Sequence, residues 1–180
     1  MTAGGSAAQG GGARNPIAVA ALEQCAAMSY TNALPALEDY AAGNEIPARK
    51  EAMELVFRWH ALDDWLVEFA RDVVTNDAKY SDAERNLAGR RLCDVLRASS
   101  SDGGTNSAPW NTGVRIMYEN RTNRACAVAV DGLLVACVPD YERSADRLEA
   151  ARILLADTNT WSNCRSYFID VTNAVTGAGQ

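Results

Sequence analysis

His60 is the only histidine in the chain, and two aspartates follow it three and four residues later. On a helix, residues at these spacings share one face, so Asp63 and Asp64 can both reach the imidazole. An imidazole beside a carboxylate is a candidate general acid–base pair. The set cannot hold zinc alone, because zinc takes about four ligands and no thiol lies nearby in sequence. Pairing between His60 and Asp64 on a helix surface explains the pattern more simply, and we expect neither a catalytic role nor a metal or cofactor here.

The run Asp63-Asp64-Trp65-Leu66-Val67-Glu68 resembles the acidic metal-binding motif of terpene synthases. In that family the motif lies on a helix and binds magnesium, which holds a diphosphate. Residues 76–84 loosely resemble the second metal motif of the family, with Tyr80 where a serine or threonine ligand is expected. The two stretches lie much closer together than in that family, and its domain is far longer. The resemblance therefore implies no synthase activity for this chain.

A different set of residues points to binding. Arginine supplies 15 of the 17 basic residues, and only Lys50 and Lys79 are lysines. Arginine and tryptophan are enriched where proteins contact one another. Trp59 falls on an apolar helical seam and is assigned to the core, whereas the other tryptophans fall beside it or in loops. The interface candidates are Trp65, Trp110, Trp161, Arg115, Arg121 and Arg124.

These residues favour a non-enzymatic binding or assembly subunit that acts through protein–protein contacts, with a partner or with copies of itself. A coat-type subunit of a viral or phage particle is one concrete form. A small enzyme that uses the acidic helix around His60 is one alternative. An RNA- or phosphate-binding protein that uses arginines of the second half is the other, although a net charge of −6 argues against a protein that coats nucleic acid.

The five cysteines are scattered and form no C-x-x-C pair, which is typical of reduced thiols in an intracellular protein. The sequence shows no secretory signal and no apolar run of about 18 residues, so we expect no membrane association. The expected location is the cytoplasm, or the virion for a coat-type subunit.

The first half of the chain predicts helices. Residues 1–13 are glycine-rich and predict a flexible arm, and a helical half spans residues 14–98. Pro16 begins one helix after an Asn15 cap, and residues 34–42 predict a second helix that ends at Gly43. A continuous helix is predicted from residue 47 to residue 74, on the following apolar seam: Leu55, Trp59, Leu62, Leu66, Phe69 and Val73. Ser81 and Glu84 predict a capping box at the next helix.

The second half predicts strands. Residues 99–113 are turn formers and predict a loop. Within residues 114–171, Asp131-Gly132 between apolar runs predicts a two-residue hairpin turn, and residues 144–157 predict a helix. Strands are also expected around residues 114–118 and 167–171, before a tail at 172–180. The predicted fold class is α+β, a helical half followed by a small antiparallel sheet with one helix, in one domain.

Overall fold

Every regular element in the part of the chain that the structure describes is a helix. The structure is a computed structural model, and it describes residues 16–28, 31–44 and 48–177. The predicted α+β fold with an antiparallel sheet is therefore wrong, because helices occupy the positions where the pattern predicts strands. The predicted arm, residues 1–13, lies outside the described residues.

The described residues contain nine α-helices and two short 3-10 helices. The α-helices are α1 (Pro16–Ala27), α2 (Leu34–Ala42), α3 (Arg49–Trp59), α4 (Asp64–Thr75), α5 (Asp82–Ser101), α6 (Ala108–Glu119), α7 (Ala127–Cys137), α8 (Ala145–Ala156) and α9 (Ser162–Thr176). The 3-10 helices are Thr31–Ala33 and Tyr141–Arg143. None of the helices in the described ranges has both the length and the apolar character needed to cross a bilayer.

The helices group into two compact units, Met1–Trp59 and His60–Gln180. In the first unit α2 and α1 both pack against α3. Pro35 falls in the first turn of α2, where its missing N–H leaves no intrahelical hydrogen bond unmade. The buried apolar residues of α2 and α3 are Leu37, Ala41, Ala52, Met53, Leu55, Val56 and Phe57.

In the second unit α5 packs against α4, α6 and α7 and is therefore the central helix. The predicted capping box at its start is confirmed, since Ser81 and Glu84 each accept a hydrogen bond from the backbone N–H of the other. α8 packs on α9, and both contribute to one apolar cluster. The buried members of this cluster are Ala127, Ala151, Leu154, Phe168 and Val171.

Arg85 joins the end of α4 to the turn before α7. Its guanidinium donates to the carbonyl oxygen of Val74 at 2.9 Å and to the side-chain oxygen of Asn123 at 3.1 Å. The side-chain nitrogen of Asn123 donates to the same Val74 carbonyl at 3.0 Å. This carbonyl lies in the last turn of α4, where helix acceptors lack intrahelical partners, so the two side chains satisfy it.

The predicted continuous helix over residues 47–74 is two helices, α3 and α4, separated by residues 60–63. Asp63 has an extended backbone, and its carboxylate accepts a hydrogen bond from the Leu66 N–H at 2.9 Å. It is therefore the N-cap of α4. The apolar spacing runs on through both helices and gives no sign of the break. Leu66 is buried as the seam predicts, whereas Leu62 lies in the connection and is half-buried.

The predicted hairpin at Asp131-Gly132 is also wrong, because both residues lie within α7. A short apolar run fits a buried helix as well as a buried strand, and periodicity alone does not separate them. A turn would expose Asp131, yet its side chain is buried against Arg147 and Tyr167. These partners come from α8 and α9, so the local sequence contains no sign of them.

Most of the predicted loop over residues 99–113 is helical, since α5 extends to Ser101 and α6 begins at Ala108. Ser107 caps α6 by accepting a hydrogen bond from the Trp110 N–H, and Pro109 falls in the first turn. A serine two residues before a proline here marks the start of a helix. The strand predicted over residues 167–171 lies within α9.

Gly132→Ala is expected to raise the free energy of unfolding by about 0.5–1 kcal/mol, since alanine favours a helix interior over glycine. A Cβ there would meet only the Arg97 guanidinium, at 3.6 Å. The matched variant is Gly89→Ala in α5, where the new Cβ would lie 2.4 Å from Cβ of Cys126. Overpacking of this kind is expected to cost about 1–3 kcal/mol. Urea unfolding measures both variants, and a destabilised Gly132→Ala protein would contradict the helical assignment of α7.

Candidate functional site

The residues around His60 build the start of a helix. The ring Nδ1 of His60 lies 2.9 Å from the carbonyl oxygen of Ala61 and 3.6 Å from the carboxylate of Asp63. The imidazole stacks on Trp65, with ring centroids 4.8 Å apart. Asp64 is exposed in the first turn of α4, where the helix dipole favours a carboxylate. The acidic run that resembles the terpene-synthase motif thus begins a helix, and within the described ranges no group of three or more His, Cys, Asp or Glu side chains is placed to hold a metal ion.

Two of the three candidate tryptophans make contacts within the chain. The indole Nε1 of Trp110 donates to the carbonyl oxygen of Leu96 at 3.2 Å and joins α6 to α5. Trp65 stacks on Phe69 as well as on the imidazole, with the Phe69 ring centroid 5.1 Å away. Trp161 precedes α9 and is 41% exposed. Trp161 is therefore the most exposed of the three candidates, ahead of Trp65 at 37%.

The candidate arginines have different surroundings. The guanidinium of Arg121 lies 4.7 Å from the ring centroid of Tyr118 and donates to the carbonyl oxygen of that residue. Arg124 pairs with one carboxylate of α5 at 3.4 Å and with one that follows α8 at 3.8 Å. Arg115 is exposed on α6. Arg121 and Arg124 are thereby engaged inside the chain.

A buried ion pair joins α7, α8 and α9. The guanidinium of Arg147 donates to both carboxylate oxygens of Asp131, most closely at 2.7 Å, and to the carbonyl oxygen of Glu142 at 2.9 Å. The hydroxyl of Tyr167 donates to the same Asp131 carboxylate at 2.7 Å. Asp131 is 3% exposed and Arg147 is 9% exposed. Because these groups satisfy one another away from solvent, we assign the cluster a structural role.

This cluster predicts a loss of stability at alkaline pH. Burial, and then the hydrogen bond to Asp131, raise the pKa of Tyr167 from 10.0 to about 12. Because the pKa of Tyr167 is higher in the folded state, the protonated hydroxyl contributes its full stabilisation below pH 10. This contribution to the free energy of unfolding is lost as the pH rises to about 12. We expect the urea midpoint to fall across that window. Tyr141, whose pKa burial also raises, acts in the same direction.

Tyr167→Phe is the matched control for this pH dependence. The variant loses a hydrogen bond to a charged acceptor, which is expected to cost about 1.5–3 kcal/mol below the window. Its midpoint should then fall less steeply with pH than that of the unmodified protein. Equal slopes in the two proteins would contradict a raised pKa at Tyr167.

A cleft of about 420 Å³ opens in the second unit between α5 and the first turns of α7 and α9. The α5 wall carries Asn86, Arg90, Asp94 and Arg97, which recur at helical spacing along one face. Residues 125–129 form the second wall, and Trp161 lies with the start of α9 on the third side. The volume falls in the range of about 300–1,000 Å³ that is usual for ligand pockets.

Close packing between α5 and α7 fixes two of these walls. At Gly89 the two helices approach so closely that any Cβ would overlap Cys126, as the 2.4 Å separation shows. The side-chain amide of Asn86 donates to the carbonyl oxygen of Ala125 in the same region. Cys126 itself is buried. Direct packing therefore fixes the positions of these two walls.

Two guanidinium groups give the cleft a positive character. Arg90 is exposed and makes no ion pair or hydrogen bond with another described residue. Arg97 lies 3.5 Å from the carboxylate of Asp94, with the two side chains 44% and 57% exposed. An exposed pair of this kind contributes about 0–1 kcal/mol, so Arg97 can exchange its partner at little cost.

The helix ends add to this positive character. The N-cap residues Cys126 of α7 and Trp161 of α9 make no side-chain capping hydrogen bond. In the first turn of α9 the Cys164 N–H donates to the Asn163 side chain at 2.9 Å, so the start of α7 contributes more of this charge. The N–H groups in the first turn of a helix carry partial positive charge. The electrostatics of the cleft therefore favour an anionic group.

The thiols in the cleft are weak nucleophiles. Burial raises the pKa of Cys126 to about 12, and burial also raises the pKa of Cys164. Both thiols are therefore protonated at neutral pH, whereas the thiolate is the reactive form. The described lining thus combines two guanidinium groups with thiols that are protonated at neutral pH.

Of the interface candidates proposed from the sequence, Trp161 lines this cleft, whereas Arg90 and Arg97 were not among them. The available signal was the spacing of Arg90, Asp94 and Arg97 on one face of the strongly capped helix α5. The interface candidates came instead from loops and from the second half of the chain. No protein-family model, no curated protein and no solved structure matches this chain.

Proposed function

We propose that this protein is a non-enzymatic binding subunit that acts through protein–protein contacts, and that the α5–α7–α9 cleft is the contact site. The proposal rests on one observation. Trp161 and Val128, which are 41% and 38% exposed, line the same cleft as Arg90 and Arg97. Exposed tryptophan beside arginine is the composition of interface hot spots.

Two further observations favour binding over catalysis. The cleft thiols are protonated at neutral pH, as their raised pKa values show. His60 stacks on Trp65 at the start of α4, and it does not belong to the described cleft lining. The candidate acid–base residues and the cleft are thus separate features of the chain.

The proposed location is the cytoplasm. The four cysteines that the structure describes in full, Cys93, Cys126, Cys137 and Cys164, are unpaired thiols. Free thiols are typical of a reducing compartment. If copies of the chain assemble into a coat-type particle through this cleft, the location is the virion.

Site-specific photo-crosslinking tests the proposal. A photoreactive amino acid at Val128, on the edge of the cleft, is expected to give a discrete protein adduct in cells that express the protein naturally. The matched position is Ile169 of α9, which is 50% exposed and is not part of the cleft lining. We expect no discrete adduct there. The same label in the purified protein shows whether the partner is another copy of the chain.

Arg90→Glu in the labelled protein is the decisive control. It reverses one charge of the cleft and is expected to abolish the adduct at Val128. Adducts of equal yield at Val128 and Ile169, or none at either position, would overturn the proposal, and so would persistence of the Val128 adduct in the Arg90→Glu protein.

A further inference from the structure

We infer that the occupant of the α5–α7–α9 cleft is an acidic segment of a partner protein, with side-chain carboxylates on Arg90 and Arg97 and apolar side chains on Trp161. This inference rests on the proposed function and specifies the chemistry of the partner. The ligand is thus a peptide whose carboxylate side chains bind in the cleft.

The charges of the cleft favour carboxylates. Its described lining holds two guanidinium groups and one carboxylate, and the Arg90 guanidinium makes no ion pair or hydrogen bond within the described chain. Guanidinium groups bind carboxylates through paired N–H donors, which gives both attraction and orientation. Arg97 would exchange the exposed Asp94 for an incoming carboxylate, since the existing contact is 3.5 Å long. The start of α7, whose N-cap Cys126 makes no side-chain hydrogen bond, adds partial positive charge at the opposite wall.

The rest of the lining favours a peptide over a free anion. Trp161 and Val128 are exposed, and the half-buried Ala129 belongs to the same wall as Val128. An inorganic anion would make no use of these apolar surfaces, whereas the methylene groups and apolar side chains of a peptide would bury them. The volume of about 420 Å³ accommodates a few side chains.

The charge of the whole chain disfavours a nucleic acid. The chain carries a net charge of −6, and its described cleft presents only two arginines. A nucleic acid brings a continuous row of phosphates, of which most would meet the acidic remainder of the surface. A short acidic segment places its few carboxylates on the arginines alone.

The experiment measures binding of a short fluorescein-labelled peptide of glutamate and leucine to the full chain by fluorescence anisotropy. We expect saturable binding that weakens as salt is added, because exposed charge contacts are screened. Arg90→Glu is expected to weaken binding by roughly tenfold or more, since it places like charges in contact. Arg91→Glu makes the same change in net charge at the next, exposed residue of α5, outside the cleft lining, and should leave the affinity unchanged.

Amide chemical shifts of the unmodified protein provide a second measurement that does not depend on a variant. Addition of the peptide is expected to shift the amides of Ala127, Val128 and Asn163 at the cleft, and not those of α4. Peptide binding without shifts at the cleft would overturn the inference. A matched lysine–leucine peptide that binds equally well would also overturn it.

Two further ligands, inorganic phosphate and oligouridine, test whether the cleft prefers a peptide over a free anion or a nucleic acid. Inorganic phosphate that displaces the peptide at equal concentration would reduce the site to a simple anion site, and oligouridine that binds more tightly than the peptide would make it a nucleic-acid site. Either result overturns the inference. If the glutamate peptide fails to bind while the Val128 adduct forms, the acidic partner is wrong and the proposed function stands. If neither the glutamate peptide binds nor the Val128 adduct forms, both the acidic partner and the proposed function are wrong.

Discussion

Asp131→Asn is expected to lower the free energy of unfolding by about 3–5 kcal/mol, because it leaves the Arg147 guanidinium buried without a counter-charge. In the native protein the Asp131 carboxylate accepts hydrogen bonds from both Arg147 and Tyr167. The amide side chain carries no charge and has a single acceptor oxygen for these donors. Urea unfolding monitored by circular dichroism measures the loss.

A double-mutant cycle separates the ion pair from the cost of an orphaned charge. The variant with Asp131→Leu and Arg147→Met replaces both partners with apolar groups, and such replacements of buried pairs are often neutral or stabilising. We expect the double variant to be more stable than either Asp131→Leu or Arg147→Met alone. Additive losses would mean that the two side chains do not interact as the structure describes.

Phe168→Ala is the second change with a large expected effect, a loss of about 3–5 kcal/mol. Phe168 is 1% exposed and packs in the cluster that α7, α8 and α9 share. The neighbouring Ile169→Ala is the matched control. Ile169 is 50% exposed, so its truncation should change stability by no more than about 0.5 kcal/mol.

This pair of variants separates a helix from a strand over the same residues. In the predicted strand, Tyr167, Ile169 and Val171 would share the buried face, and Ile169→Ala would be the costly change. In α9 the buried residues are Cys164, Phe168 and Val171, at spacings of four and three. A larger loss of unfolding free energy for Ile169→Ala than for Phe168→Ala would contradict the helix and support a strand over these residues.

Local signals predicted several helices well. Ser81 and Glu84 predicted the capping box of α5, and the prediction over residues 34–42 has the bounds of α2. The prediction over residues 144–157 matches α8, which Ser144 caps. Each of these signals is a hydrogen bond or backbone restriction that residues close in sequence supply, so the sequence alone displays it.

The strand predictions failed because the deciding interactions are distant in sequence. Aspartate is common in turns. Asp131 nevertheless lies within α7, where Arg147 and Tyr167 bind its carboxylate. The local pattern predicts Gly132 as the second residue of a hairpin turn, whereas the structure places it in the interior of α7. Tertiary contacts override local preference in such cases.

Only one residue of the cleft lining was among the interface candidates, for the same reason. Trp161 was recognisable by its residue type, but its place beside α5 depends on the packing of Gly89 against Cys126. Arg90 and Arg97 were recognisable by spacing on α5, but nothing local indicates that the starts of α7 and α9 face them. A cleft made by three helices is a property of their packing.

The double hydrogen bond at the Val74 carbonyl has a consequence for local unfolding. Fraying of the end of α4 breaks the contacts to Arg85 and Asn123 in one event, because both donors share that acceptor. We therefore expect the last turn of α4 and the turn before α7 to open together, so that their amides exchange with solvent at similar rates. Asn123, 49 residues from Val74 in sequence, is thus expected to contribute with Arg85 to how often the end of α4 opens.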